Sequence, residues 1–586
     1  MALVADLDGA GGVLQWLADD GRALGAPRRV PDLAVAVAEV EREGHPRWVW
    51  ADTDELYPRL LPQLTGRRAR LGRCHDVALT ERLLLGSEGA LGRPRSLGAA
   101  WARLHGHPEP PDAEPHHAAH EDQDALFSVV ADRSNLPPGV DPLAALVEVH
   151  ADQLRRLRAA GRELTLLAAA ESAGALAAAE LGFDGLPWRT ELHDRLLVEL
   201  LGPRPRASAA SGGALPPALA ALGQEIQRAL RSPRLNPDSP AQLLRAFAEQ
   251  GISLPSLRMH QLRALDHPAA PLVVRYRELA RIHTAHGWAW QDRWVRDGRF
   301  RPEYVVGGVV SGRWASRGGG ALQIPRVLRG AVVADPGHRL VVADAGQLEP
   351  RILAAMSRDP GLARAAARGD LYAGLAAEAF GGDRARAKIA LLAAMYGQTG
   401  GEGGQLVNVL RHRFPRAMEL VEAAARTGES GGSVRSLLGR VSPVLGDGEG
   451  AREFGEDGDP VPVSGSARAW GRFTRNFVIQ ATAAEWALVL LVSLRRRLAE
   501  LGGAAGGDPP RLVFFQHDEV VVHAAEPLVP GVLAAIAASA EEAGALLFGP
   551  SCPVPFPMDA VPVDSYADAK EAESAGPVEE AEEGAV

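Results

Sequence analysis

Two aspartates stand at the ends of short apolar segments. Asp344 closes the run RLVVAD at residues 339–344, and Asp518 sits between two β-rich arms in RLVFFQHDEVVVH at 511–523. Carboxylates so placed can hold hard divalent cations. Two such ions, roughly 3.5 to 4 Å apart, stabilise the attacking and leaving oxygens of a phosphoryl transfer. Taken singly, each aspartate reads as an ordinary turn former. Between them Arg384, Lys388, Leu392 and Tyr396 recur at every fourth residue, after a capping Asp383 and before a helix-ending Gly397. That spacing puts both cations on one helix face, where a triphosphate could lie with Tyr396 near the base. A third set, Arg472, Asn476 and Gln480, repeats the spacing. Arginine and amide groups can donate to the minor-groove acceptors that all base pairs share, which holds a duplex without reading its sequence.

One compositional feature sharpens this. Of 63 basic residues only Lys388 and Lys570 are lysine. A guanidinium cannot readily give up a proton, so Lys388 is the cation of the set that could also act as an acid.

The elements that must position these residues follow from the pattern. Residues 339–344 form a strand, and 511–523 a hairpin with His517-Asp518 at its tip. Residues 348–356 resume as helix with Pro350 in the first turn, where its missing N–H costs least. Residues 361–425 and 468–501 are helical, while 446–458 is an acidic, glycine-rich loop. Residues 1–165 read as a mixed α/β unit with apolar runs at 2–5 and 48–50. From there to about 299 the apolar spacing is helical, and 272–287 carries an arginine-rich polar face.

Bulk properties narrow the class. A chain of 586 residues with 46% hydrophobic content can bury several cores. Cys74 and Cys552 lack metal-type spacing, so neither a disulfide framework nor a zinc site is indicated. Asp6 and Asp8 stand where a signal peptide needs a basic region, and no run of about 18 consecutive apolar residues is present; the expectation is a cytoplasmic, nucleoid-associated protein with no membrane partner. The net charge of −10 is unevenly spread. Residues 566–586 hold seven acids against Lys570, whereas 275–329 hold eleven arginines against four acids, a candidate phosphate-binding stripe.

Order and spacing of the three sets resemble the family A (DNA polymerase I-like) DNA polymerases, over about residues 170–565. Asp344-Ala345-Gly346-Gln347-Leu348-Glu349-Pro350-Arg351 resembles the family's motif A. The resemblance implies that Asp344 ligates metal, that Glu349 excludes a ribose 2′-hydroxyl, and that Gln347 lies at the nucleotide. Arg384, Lys388, Tyr396 and Gly397 fall on motif B, and His517-Asp518-Glu519 on motif C, with Asp518 the second ligand and Glu519 its support. Ser311-Gly312-Arg313 and Leu322-Gln323-Ile324-Pro325 resemble segments that precede motif A, which implies DNA contacts for Arg313, Gln323, Arg472, Asn476, Gln480 and His517. Residues 236–243 and 276–279 resemble the thumb.

Departures fall on nucleotide selection more than on catalysis. Ala345 and Gly346 replace the usual tyrosine and serine, but the metal contact there is a backbone carbonyl. Leu392 replaces the phenylalanine that packs on the incoming nucleotide. The N-terminal unit stands where the family has a 3′-5′ exonuclease, an RNase H-like fold needing four carboxylates. Asp122, in the segment 120–124, resembles the third exonuclease motif with Ala118 in place of its tyrosine. Asp6 and Asp8 are weak candidates for the first motif, and nothing convincing in 52–61 supplies the second. Proofreading and a 5′ nuclease are therefore not expected.

The resulting expectation is an α+β multidomain, right-hand polymerase with an antiparallel-sheet palm, helical fingers and thumb, and an N-terminal RNase H-like α/β exonuclease-type domain. Its parts are a degenerate exonuclease-like domain at 1–165, thumb at 166–300, palm at 301–360 and 468–565, fingers at 361–467, and a disordered acidic tail at 566–586. The expected activity is template-directed addition of dNMP to a primer 3′-hydroxyl, using two Mg²⁺ ions, primer–template DNA and dNTPs, by a monomer, in repair or replication. A non-catalytic DNA-binding relative is the alternative. Replacing lysine by arginine at 388 tests the proton argument. If Lys388 protonates the leaving pyrophosphate, Lys388→Arg lowers single-turnover rates by about 10²- to 10⁴-fold with little change in dNTP affinity. Near-normal chemistry with weakened dNTP binding would reduce Lys388 to a phosphate anchor.

Overall fold

The computed structural model describes all residues except 7–9, 114–133, 206–214, 318–323, 398–400, 445–451, 455–459, 463–465, 506–507 and 570–586. Asp8, Asp122 and Gln323 lie outside the described residues, as does most of the acidic loop. The chain divides into two compact units. One comprises Met1–Asp184, Glu303–Arg317 and Gly337–Pro562; the other comprises Gly185–Pro302, Gly318–Pro336 and Val563–Val586.

The first unit opens with a five-stranded sheet in which β1 (Ala2–Ala5), β2 (Gly12–Leu17), β3 (Ala23–Val30), β4 (Arg47–Trp50) and β5 (Arg73–Asp76) lie in the order β3-β2-β1-β4-β5. The hairpin-linked strands pair antiparallel, and β1, β4 and β5 pair parallel. This is the sheet of an RNase H-like fold. Its central strands are covered on both faces, which is why residues 48–50 read as a continuous apolar run. Trp48 and Trp50 pack with Tyr57, Leu61 and Leu64 on one side. Val49 packs with Val77, Leu97, Leu146 and Val149 on the other.

Later in the same unit β6 (His338–Ala345), β7 (Arg511–Gln516), β8 (Glu519–Ala525) and β9 (Met558–Val563) form a second sheet in the order β7-β8-β6-β9. Leu340, Val341, Val342 and Ala343 are completely buried, as are Val520, Val521 and Val522 opposite them. Helices Arg162–Asp184 and Ala467–Ala505 pack within this unit. Among the described residues three helices, Arg162–Asp184, Ala467–Gly502 and Glu526–Phe548, are long and apolar enough to cross a membrane by length and composition, although no unbroken apolar run signals it. The first two bury 78% and 83% of their most apolar window inside the protein.

The second unit is mainly helical. Helix Ala269–His286 buries Val273, Tyr276, Leu279 and Ile282 and exposes Arg275, Arg277 and Arg281, the arginine-rich face expected from the spacing. The stripe is thinner than its arginine count suggests. Arg299 and Arg189 both pair with Asp335, and Arg329 is buried with its guanidinium 4.2 Å above the Tyr566 ring. Two boundaries differ from the sequence reading. The tail expected to be disordered from 566 is ordered to Ala569, because Tyr566 and Ala569 bury their side chains. The helical unit begins at Gly185 rather than 166, because Arg162–Asp184 belongs with the first unit.

Glu485, on the long helix of the first unit, is buried and accepts hydrogen bonds from the Ser436 hydroxyl and, at 3.0 Å, from the Leu438 amide. Burial pushes its carboxyl up to about 7, more than these bonds and Arg440 pull it down. A carboxyl with a raised folded-state value binds its proton more tightly when folded. Its stabilising contribution is full below the unfolded value near 4.5 and is lost as pH rises through about 7. Glu485→Gln should therefore unfold at a higher temperature than the wild type at pH 8 and converge with it near pH 5. The pH 8 advantage is bounded at about 3 kcal/mol by the size of the shift. A difference independent of pH would refute this.

Candidate active site

The register of the second sheet brings the two aspartates together. Asp344 lies directly across from Glu519, so Asp518, one residue earlier at the hairpin tip, stands beside it. The amide of Ala345 donates to the carbonyl of Asp518 at 3.2 Å. The two-residue turn is made with His517 exposed and at φ 58°, in the left-handed region. Burial, and then the neighbouring Asp344 carboxylate, push the Asp518 carboxyl up to about 7. Glu519 is buried in β8.

Arg351 fixes the turn that follows Asp344. Only 2% exposed, it donates from Nε to the carbonyl of Gly346 at 2.8 Å, from Nη1 to those of Ala366 and Pro555 at 3.1 and 3.0 Å, and from Nη2 to that of Gly369. Gly346 packs close to Asp559, whose Oδ2 would lie 3.3 Å from a Cβ there. Nothing in the spacing of Arg351 distinguished it from a surface arginine.

Glu349, in the first turn of helix Leu348–Ser357, is held from two sides. Arg313 pairs with one carboxylate oxygen and the Tyr396 hydroxyl donates to the other at 2.8 Å. Burial, and then Glu349, raise the Tyr396 phenol above its ordinary value, so it stays a donor. Tyr396 ends helix Arg384–Tyr396, which is capped by the Asp383 side chain on the Arg386 amide and closed by Gly397 at φ 69°. Both ends agree with the sequence reading. Gly397 admits the stem of Arg472, whose Cγ would lie 2.9 Å from a Cβ there. Arg472, Asn476 and Gln480 are each half-buried along the long helix.

The cationic face of the Arg384 helix is more engaged than the sequence suggested. Arg384 Nε donates to Asp370 at 2.7 Å, and Asp370 also accepts from Gln347 Nε2 at 2.8 Å. Gln347 Oε1 in turn accepts from the Leu371 amide at 2.8 Å, so Gln347 braces the helix Leu371–Ala379. Arg384 and its neighbours outweigh burial and hold the Asp370 carboxyl below the usual carboxylate range. Lys388 is exposed, with its Nζ 6.0 Å above the Tyr372 ring, and Leu392 is half-buried. Asp370 and Tyr372 were missed from sequence because neither lies in a spaced set; the helix-capping position of Asp370 was the available signal.

In the N-terminal sheet Asp6, Asp52 and Asp141 line one cleft of about 370 Å³ with Arg29 and Arg59. Each carboxylate already has local work: Asp6 pairs with Arg29 at 3.0 Å, and Asp52 and Asp141 cap helices. Among the described residues no group of three or more His, Cys, Asp or Glu side chains is arranged to hold a metal ion.

A buried antiparallel sheet with paired carboxylates at one end, a long helix packed with it and a capped cationic helix define a polymerase-type architecture. The DNA polymerase family A model matches residues 213–561, and the chain belongs to that family. It is similar to the DNA polymerase I of Chloroflexus aurantiacus, at 30% identity over 332 residues covering 52% of this chain and 33% of that protein. The DNA polymerase I of Pseudomonas aeruginosa is 26% identical over 301 residues, covering 46% and 31%. The match thus spans about a third of the length of these relatives. Among solved structures, the POL domain of Pol1 from M. smegmatis in complex with DNA primer-template and dNTP shares the fold. Its TM-score is 0.69 at 18% identity, covering 97% of this chain and 95% of that one.

Proposed function

We propose that this chain is a DNA-directed DNA polymerase that adds dNMP to a primer 3′-hydroxyl. The observation that carries the reading is the register that sets Asp344 beside Asp518 at the end of a buried sheet. Two oxygen-donor carboxylates that repel one another fit a hard divalent cation, which would replace the proton that burial and Asp344 favour on Asp518. Asp344, Asp518 and the nearby backbone carbonyls would hold two Mg²⁺ ions, with Glu519 behind them. Bound there, Mg²⁺ supplies charge neutralisation to the attacking and leaving oxygens.

The remaining steps belong to the chain's own groups. Arg384 and Lys388 draw the triphosphate to one helix face, and Arg384 must exchange Asp370 for phosphate to do so. Lys388 keeps a proton that it can pass to the leaving pyrophosphate. Glu349, fixed by Arg313 and Tyr396, forms the wall against a 2′-hydroxyl. Arg472, Asn476, Gln480 and His517 line the path of the duplex. In this reading the helical unit from Gly185 is the thumb, Pro360 to about 467 the fingers, and the RNase H-like sheet a domain without exonuclease activity. The protein would act as a monomer in the cytoplasm, at the nucleoid, in repair or replication.

Primer extension with purified protein, dNTPs and Mg²⁺ is the test. Asp344→Ala and Asp518→Ala should each reduce extension below about one per cent of wild type, given the several kcal/mol a metal ion supplies. Duplex affinity should be largely kept, because it rests on arginine–phosphate contacts. Binding of primer–template by a wild type that never extends it would favour a non-catalytic relative instead.

A further inference from the structure

The loop that carries Arg313 joins the strands Glu303–Val305 and Ala315–Arg317, and it is gripped near both ends. At Gly307, Arg82 of the N-terminal domain donates from Nη1 to the carbonyl at 2.7 Å, and its guanidinium occupies the place a Cβ would need. At Gly312, with φ +88°, Arg440 lies so close that a Cβ would sit 2.6 Å from its Cζ. The two arginines share one partner. Arg82 Nη2 donates to Glu171 Oε2 at 3.0 Å, and Arg440 Nη2 donates to Glu171 Oε1.

Glu171 is wholly buried in the helix Arg162–Asp184. Burial would raise its carboxyl, but Arg82 and Arg440 outweigh burial and hold it down to about 2. One carboxylate therefore sets the separation of two guanidinium groups, and these set the two ends of the loop. Within the loop the Val309 amide donates to the carbonyl of Arg313 at 3.1 Å, and the Gly312 amide to that of Val309 at 2.8 Å. A shift of Gly312 must then move Arg313, whose guanidinium holds Glu349.

We infer that Glu171, with Arg82 and Arg440, positions Arg313 against Glu349, so that the N-terminal domain serves sugar discrimination at the polymerase site. The inference rests on the proposed polymerase reading and on Glu349 as the wall against a 2′-hydroxyl. None of the three is a catalytic residue; each acts through Arg313. Removing Arg82 frees the loop at Gly307 and leaves Arg440 as the sole ionic partner of Glu171. Arg440 is then drawn away from Gly312, and Glu349 is left to Tyr396 alone.

The test compares full-length wild type, Arg82→Ala, Arg82→Lys and Glu171→Gln in single-nucleotide insertion of a dNTP and of the matching rNTP. In Arg82→Ala and Glu171→Gln the ratio of kcat/KM for dNTP over rNTP should fall about two- to thirty-fold, the range found for residues that couple without touching ligand. The fall should come from better use of rNTP, with kcat for dNTP nearly unchanged, and Arg82→Lys, which keeps the charge but not the two-armed reach, should restore only part of the ratio. If Arg82→Ala does not fold, the isosteric Glu171→Gln decides. Equal losses for both sugars, with the ratio intact, would reduce the network to a fold-stabilising latch and overturn the inference while leaving the polymerase reading in place. A wild type that inserts neither nucleotide would instead overturn the polymerase reading.

Discussion

The antiparallel register of β6 on β8 places Asp344 opposite Glu519 and therefore Asp518 alongside Asp344. Like charges so close, and partly withdrawn from water, oppose folding unless the backbone leaves them no alternative. Here it leaves none. A slip of one residue would turn every side chain of β6 to the other face, and its central residues are completely buried on both. The electrostatic opposition is thus stored at the sheet end, where a hard cation would relieve it. The rest of the site holds that end still.

Arginine does most of this holding, and in a way lysine could not. Arg351 reaches four carbonyls from three separate segments, and Arg495 spans both oxygens of Glu180 as well as the carbonyls of Leu71 and Gly72. Arg475 donates to the carbonyl of Ala394 at 2.8 Å, tying the long helix to the Arg384 helix. A planar guanidinium with five N–H groups can satisfy several acceptors at once, whereas an ammonium offers three donors from one point. Buried arginine is accordingly part of the interior here. It does not explain why exposed cations such as Arg22 and Arg155 are also arginine.

What could be read from sequence was whatever local geometry determines. The strand ending on Asp344, the two-residue turn at His517-Asp518, the Asp383 cap and the Gly397 stop each depend on a few neighbouring residues, and each stands where its pattern put it. What could not be read depends on partners far away in the chain. The arginines between 275 and 329 look alike in sequence, yet Arg313 holds Glu349, Arg329 lies over the Tyr566 ring and Arg275 faces solvent. The same limit hid Tyr566, one aromatic residue at the edge of an acidic tail, whose burial orders the chain to Ala569. It also hid the affiliation of helix Arg162–Asp184, whose apolar spacing fits either unit.

The N-terminal sheet is built and anchored without calling on the carboxylates of its cleft. Its core is made by Trp48, Trp50, Tyr57 and the leucines around them. Asp52 and Asp141 cap helices, a role worth about 1 kcal/mol apiece. Asp6 pairs with Arg29 at 3.0 Å. The domain is meanwhile tied to the helix Arg162–Asp184 by polar contacts largely withdrawn from solvent. Tyr57 and Arg70 join Glu180 and Asp184, and Arg82 joins Glu171. Breaking any one of these leaves a charge or hydroxyl stranded in a dry interface, which costs far more than the pair contributes when intact. Those contacts do not involve the cleft carboxylates, and loss of the domain would expose all of them at once.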